Sequence, residues 1–261
     1  MRTRLTLALL ALAVLAAGAP RMGAQSTTTW QWNGTLGAGR TVFVRNLNGT
    51  IRVTPGTGRT VEVVATKKVR RGDPDAVRIE ARMAGTGNGD VLVCALWGPD
   101  ARCDESGYRG GSHRRGTDAS VELVVKVPAD AKVTASTVNG SVALTEIGGD
   151  VEAATVNGSI TARSLKGRVN ASTVNGSITA QGAMVGDGVG YKSVNGSITV
   201  TVPEGTGAEL DLSTVNGRIT TEHPVTLDGT ISRRRVKATM GKGGPTLKAS
   251  TVNGSVTVKK G

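Results

Sequence analysis

The sequence predicts an all-β fold: a single-stranded β-solenoid, or flattened β-helix of about eighteen residues per coil, with a divergent β-rich cap at its N-terminal end. Three observations carry this. The motif Thr-Val-Asn-Gly-Ser-Val at Thr137 to Val142 returns at Thr155 to Ile160 and Thr173 to Ile178, then more loosely at Ser193 to Ile198, Thr214 to Ile219 (Arg218 in place of Ser) and Thr251 to Val256. Glycines fall at 140, 149, 158, 167 and 176, nine apart, with the Asn-Gly form alternating with a degenerate one. Gly, Val, Thr and Ser abound, no long stretch has helical periodicity, and the aromatics are only three Trp, two Tyr and one Phe. A core so poor in rings must be thin and built from Val, Ile, Leu and Ala.

Residues 1–24 have the plan of a secretory signal peptide: Arg2 and Arg4, an apolar run from Leu5 to Ala17, then small residues. The run is short for a membrane span. Cleavage is favoured after Ala24, with Ala19 and a retained anchor as the alternatives. No Cys follows to invite lipid attachment, and no later stretch reads as a membrane helix. Removing residues 1–24 takes away Arg2, Arg4 and Arg21 and no acid, so the formal charge falls from +12 to +9. That excess favours acidic partners.

Residues 25–131 form the expected cap, continuous with the repeats in one domain. Thr41–Val44, Ile51–Val53, Val61–Ala65, Val77–Ala81, Val91–Ala95 and Val121–Val127 read as strands. Asn46 to Ile51 is an early cousin of the repeat. A stack needs atypical ends, because an open coil exposes apolar side chains and unpaired backbone. Cys94 and Cys103, nine positions apart in an exported chain, predict a short-loop disulfide. It tethers the first part of a long loop, about Leu96 to Ser120, whose glycines predict mobility and which carries Tyr108, His113, Arg114 and Arg115.

Residues 132–261 form the regular solenoid. Asn-Gly between apolar residues is also a hairpin signal, but a hairpin there would mix apolar and polar residues on each face. Running straight through the Gly places Val138, Gly140, Val142 and Leu144 on one side. Each half-repeat then becomes one strand, with Gly in mid-wall and the bend between halves. About seven coils are expected, with Leu227 to Ile231 a decayed copy in the gap between Asn216 and Asn253. Like residues pile up, so Asn139, Asn157, Asn175, Asn195, Asn216 and Asn253 should form a hydrogen-bonded ladder. Thr137, Thr155, Thr173 and Thr214 line up beside it.

These repeated Val-Asn-Gly-Ser-Ile units, behind a signal peptide and a β-rich N-terminal portion, resemble the bacterial candidate-adhesin family with β-strand repeats, the toast-rack type of unknown function. The resemblance covers about residues 40–261. It implies a β-solenoid exported to the envelope and supplies no catalytic residues.

The residues themselves point away from several chemistries. Calcium-binding β-rolls need Asp two places after each Gly, where this chain has Val142, Val151, Ile160 and Val169. Polysaccharide lyases and hydrolases on β-helices need clustered carboxylates; here Glu146, Asp150, Glu152, Asp187, Glu204, Glu209 and Asp211 are scattered. His113 and His223 lack a nucleophile partner in sequence. No catalytic residue, metal ligand or cofactor is expected. The leading reading is a non-catalytic exported module for envelope adhesion or scaffolding, of unknown ligand and exported to the periplasm or the cell surface. One alternative is a module binding anionic polysaccharide, or another envelope polyanion, through Arg233, Arg234, Arg235, Lys237, Lys242 and Lys248, with nucleic acid disfavoured. The other is a carbohydrate-active enzyme. A binder of ice or crystal surfaces through the Thr columns ranks below these.

Overall fold

A computed structural model describes residues 26–84, 89–110, 116–182, 188–227 and 232–261. The expected signal peptide, His113 to Arg115 of the long loop and positions 228–231 of the expected decayed copy lie outside the described residues. The chain is built almost wholly of strands. The N-terminal part contains β1 (Ser26–Thr35), β2 (Thr41–Arg45), β3 (Ile51–Pro55), β4 (Thr60–Arg71), β5 (Val77–Ala84), β6 (Asp90–Trp97), the short β7 (Arg102–Asp104) and β8 (Gly107–Arg109), and β9 (Asp118–Val127). The repeats come next as pairs: β10 (Lys132–Asn139) with β11 (Val142–Thr145), β12 (Val151–Asn157) with β13 (Ile160–Leu165), β14 (Val169–Asn175) with β15 (Ile178–Gly182), β16 (Val189–Asn195) with β17 (Ile198–Val202), and β18 (Ala208–Asn216) with β19 (Ile219–Thr221). Then come β20 (Val225–Leu227), β21 (Arg235–Met240), and a last pair, β22 (Thr246–Asn253) with β23 (Val256–Lys260).

The strands form two large sheets that share one apolar core. The first strand of each repeat pair lies in an 11-stranded sheet, ordered β20-β21-β18-β22-β16-β14-β12-β10-β2-β6-β5. The second lies in a 10-stranded sheet, ordered β1-β4-β9-β3-β11-β13-β15-β17-β23-β19. Successive coils pair parallel and in register: Val133 faces Val151 and Val151 faces Val169, while Val142 faces Ile160 and Ile160 faces Ile178. This is the expected parallel solenoid. Its β-branched composition suits a half-buried pleated wall. The interior is thin: Ala135, Ala153 and Ala171 stack on one wall against Leu144, Ala162 and Ala180 on the other, all buried.

The wall is bent in a different place from that expected. Because β10 and β11 belong to different sheets, Asn139-Gly140-Ser141 is the corner between them and not the middle of one wall. The alternation is reset there. Thr137 points inward, Val138 and Asn139 point out, and burial resumes at Val142. A strict period of two carried through the corner therefore assigns Val138 to the wrong side. Gly is required at the corner by closeness of approach: a Cβ on Gly158 would lie 2.0 Å from the carbonyl oxygen of Gly140, and one on Gly176 2.0 Å from that of Gly158. At the other corner a Cβ on Gly167 would lie 2.2 Å from the oxygen of Gly149.

Nor do the coils stack in chain order. The C-terminal pair β22/β23 inserts between β16/β17 and β18/β19. The complete motif copy thus occupies an interior layer, and the copy carrying Arg218 lies at the exposed end. At the other end β2/β3 is sandwiched between β6/β9 and β10/β11. From Lys132 onward there are six parallel coils among the described residues, not seven. The described strands in the gap between Asn216 and Asn253 are antiparallel: β20 and β21 pair with each other, and β21 with β18, closing the end of one sheet. Antiparallel β1, β4 and β5 do the same at the N-terminal end, where Trp30 and Trp32 pack against the core.

The part of the long loop that is described is structured. The hairpin β7–β8 lies over the outward side of β6, and Leu92, Cys94, Leu96 and Ala101 form a second small core with Phe43, Cys103 and Tyr108. That explains why β6 is buried on both faces.

Substitution and titration both test this packing. Gly176→Ala should destabilise the protein by about 3 kcal/mol or more, because only backbone could give way. Gly110→Ala, whose Cβ would meet nothing within 4 Å, should change stability by less than about 0.5 kcal/mol in the same chemical denaturation series. Burial raises the phenol pKa of both Tyr191 and Tyr108, the backbone hydrogen bond from Trp97 only partly opposing this at Tyr108. A raised folded-state value stabilises the fold below the unfolded tyrosine value, about pH 10, and that stability is lost as pH rises through the folded value. Absorbance titration of the native protein should therefore show little tyrosinate at pH values where the unfolded chain is half ionised.

Candidate functional site

The corner at Asn-Gly is where the repeated polar side chains converge. Five hydrogen bonds between side-chain amides join six asparagines in one line: Nδ2 of Asn157 donates to Oδ1 of Asn139, Asn175 to Asn157, Asn195 to Asn175, Asn253 to Asn195 and Asn216 to Asn253, each at 2.8 Å. The order in space places Asn253 before Asn216, as the inserted last coil demands. The side chains lie on the exposed side of the corner. Beside them runs a serine line, in which Ser141, Ser159, Ser197 and Ser255 accept through Oγ from the backbone N–H of the next coil's corner residue at 3.1–3.4 Å.

The threonines beside the ladder do not form a surface. Thr137, Thr155, Thr173, Thr214 and Thr251, with Ser193, are all buried. Each hydroxyl donates to the glycine carbonyl of the adjacent corner, as Thr155 does to Gly140 at 2.8 Å and Thr173 to Gly158 at 2.9 Å. A carbonyl turned inward at a corner would otherwise be an unsatisfied acceptor in the core. Their structural role leaves nothing for a ligand.

Three surfaces are exposed instead, none of them picked out by sequence reasoning. Val156, Val174, Val194, Val252 and Val215 form an apolar stripe along the corner, 39–51% exposed. On the outer face of the 10-stranded sheet, Thr161, Thr179, Thr199, Thr257 and Thr220 stand in register, and Thr220 Oγ1 donates to Thr257 Oγ1 at 3.1 Å. Both rows are visible as the residues following Thr and Ile in the motif, once the corner is placed at Asn-Gly. The third surface is the outer face of the 11-stranded sheet, with Glu152, Asn170, Gly190, Lys248 and Asp211 in one row.

The basic tract is divided by that last carboxylate. Arg235 pairs with Asp211 at 3.2 Å, and Lys237 and Lys248 flank Asp211 on the adjoining strands. Arg233, Arg234 and Lys242 are exposed away from it. Arg233 and Arg218 line a groove of about 590 Å³ at the end of the stack, together with Gly217, Ile219 and Val236.

Cys94 and Cys103 form a disulfide with a Cα–Cα distance of 6.4 Å, fastening the β7–β8 hairpin to β6. The Tyr108 hydroxyl accepts from the Trp97 N–H at 3.0 Å. Arg45, only 6% exposed, lies beneath: Nη1 donates to Ser136 Oγ at 3.0 Å, Nη2 to the Glu105 carbonyl at 2.6 Å, and the guanidinium sits 5.7 Å from the Phe43 ring. Burial lowers its pKa, opposed by the charges of Glu152 and Asp104.

His223 and Glu209 are engaged in structure. His223 is buried, its Nε2 3.1 Å from the Lys259 carbonyl, and Glu209 accepts from Thr239 Oγ1 at 2.9 Å. Among the described residues no group of three or more His, Cys, Asp or Glu is placed to hold a metal ion, and no helix is long and apolar enough to cross a membrane.

A two-sheet parallel solenoid with an asparagine-lined corner is the class this geometry defines. Residues 150–259 match the model of the Toastrack DUF4097 family, a domain of unknown function. Among solved structures, the chain is similar to a candidate cell adhesion protein from Clostridium sporogenes (9% identity, 90% of this chain and 100% of that one, TM-score 0.45). It is also similar to a candidate adhesin from Bacteroides fragilis (14%, 89% and 97%, TM-score 0.37) and a candidate lipid binding protein from Parabacteroides distasonis (9%, 92% and 97%, TM-score 0.23). Scores of this size mark a loose likeness, and the fold assignment rests on the strand pairing itself. No curated protein matches the sequence.

The ladder is testable by substitution at an inner rung. Asn175→Ala removes two side-chain hydrogen bonds and should cost about 1–2 kcal/mol. Asn175→Asp should cost more at neutral pH, because a carboxylate has no proton for Asn157 Oδ1. That acceptor favours the protonated acid and raises its folded-state pKa. The lost stability should therefore return below the ordinary Asp value, about pH 4, and disappear again as pH rises through the raised value. Urea denaturation of the two variants across pH reads both effects.

Proposed function

We propose that the chain is a non-catalytic, exported adhesion or scaffold module of the cell envelope. The observation that carries this is how the polar groups of the repeat are used. The Asn, Ser and buried Thr groups bind coil to coil, and the outward rows repeat the same side chain at the interstrand spacing of ~4.8 Å. A surface that shows one group many times suits weak, multivalent attachment to a repetitive ligand, in which many small contacts add. The toast-rack family match at residues 150–259 supports the same reading. Export is supported by the charge and apolar pattern of residues 1–24.

The test has two parts. Expressed whole in a bacterial host, the protein should leave the cytoplasm and begin at Gln25, whereas a chain lacking residues 1–24 should stay inside. The purified mature protein should then sediment with cell-envelope polysaccharide without releasing new reducing ends or unsaturated sugars. Turnover of the polysaccharide would overturn the non-catalytic reading. Binding abolished by moderate salt and by Arg233→Ala would move the contact to the basic end of the stack.

A further inference from the structure

We infer that Asn216-Gly217 is a site of spontaneous deamidation, and that the other five asparagines of the ladder are protected from the same reaction. Asn-Gly is chemically vulnerable because the glycine amide nitrogen, unhindered by a Cβ, can attack the asparagine Cγ. The N–Cγ bond forms and the Cγ–Nδ2 bond breaks. The amide proton leaves with the nitrogen as ammonia, and water then opens the cyclic imide to aspartate or isoaspartate. No oxidation or co-reactant other than water is needed. The chain offers this dipeptide nine times, six of them in the hydrogen-bonded asparagine ladder.

In five of the six the nucleophile is occupied. The N–H of Gly140 donates to the Asn157 carbonyl, Gly158 to Asn175, Gly176 to Asn195, Gly196 to Asn253 and Gly254 to Asn216, all at 2.9–3.0 Å. Each of these bonds runs toward the next coil. The coil of Asn216 has no successor at its corner: β21 pairs with β18 only from Ala208 to Ser213, and the last backbone bond on that edge is from Thr214 to Arg234. Among the described residues the Gly217 N–H therefore has no acceptor, and Asn216 Oδ1 receives no donor. Asn216 is held by a single side-chain bond, to Asn253.

The surroundings favour the reaction further. Gly217 is exposed and lines the groove that also holds Arg218 and Arg233. The positive charge of the two arginines lining that groove favours the amide anion and the oxyanion of the tetrahedral intermediate. The product disturbs only the end of the ladder. An aspartate at position 216 cannot donate to Asn253 Oδ1, and it adds a negative charge at the residue preceding Gly217.

The experiment is peptide mapping by mass spectrometry of the full-length mature protein, held at mildly alkaline pH and body temperature, with and without denaturant. In the native protein, amide-to-acid conversion should be at least about tenfold faster at Asn216 than at Asn139, Asn157, Asn175, Asn195 or Asn253, the factor that losing roughly one hydrogen bond of protection gives. In denaturant the six should react at similar rates. Arg218→Ser, which restores the motif residue, should slow the native reaction at Asn216 without exposing the inner five. Equal rates at all six in the native state, or a preference for Asn216 that survives denaturation, would overturn the inference.

Discussion

Everything in this molecule turns on the contact between one glycine and the carbonyl of the glycine in the next coil. With 2.0 Å between a hypothetical Cβ on Gly176 and the Gly158 oxygen, no other side chain fits. The approach draws backbone against backbone at the corner, leaving the carbonyl turned inward, where an unmet acceptor costs about 1–3 kcal/mol. The buried hydroxyl of Thr173 meets it at 2.9 Å. Asn and Ser then tie the outside of the same corner. Thr, Asn, Gly and Ser are therefore one device: glycine permits the contact, threonine satisfies it from within, and asparagine and serine fix its register from outside. The apolar residues at either side have only to fill a narrow space, which is why Ala, Val and Ile suffice and rings are scarce.

Much of this was legible in the sequence because the device repeats at a fixed interval. Eighteen residues per coil with Asn-Gly once per coil dictates parallel stacking, and stacking aligns the six asparagines. What the spacing cannot show is where the chain bends. Val138 and Val142 look like partners on one face at a period of two, yet Asn139-Gly140 consumes residues in turning and resets the count. The exposed valine stripe was hidden by that one assumption. Nor does periodicity give the order of coils in space. The motif at Thr251 to Val256 matches the inner copies better than that at Thr214 to Ile219, and pairing follows the match and not the chain order. The β7–β8 hairpin was unreadable for another reason. The Cys94–Cys103 tether could be read from the sequence, but its strands are three residues each, too short to show a period, and the Tyr108 hydroxyl that accepts from Trp97 leaves no mark in the spacing.

The charges describe a surface arranged around the stack more than a site built into it. Arg168 pairs with Asp150 at 2.9 Å one coil away, Lys126 with Glu62 at 3.0 Å across an antiparallel pair, and Arg235 with Asp211. Such exposed pairs contribute about 0–1 kcal/mol each. They keep the outer faces hydrated and limit the continuity of the net positive charge. The end of the stack is different, since Arg218 replaces the serine of the motif there and enters the groove beside Gly217 with Arg233.

The position of β22 and β23 has a consequence for how the chain comes to be folded at all. Although they follow the coil of Asn216 in the chain, these two strands form a layer in the interior of the pile, with a neighbour on each side. Until they arrive, β16 and β18 have no common partner, and the distal coil cannot dock on the coils already made. The coil of β18 and β19 therefore waits for strands made after it, and the later pair enters like a keystone that joins it to the coils already stacked.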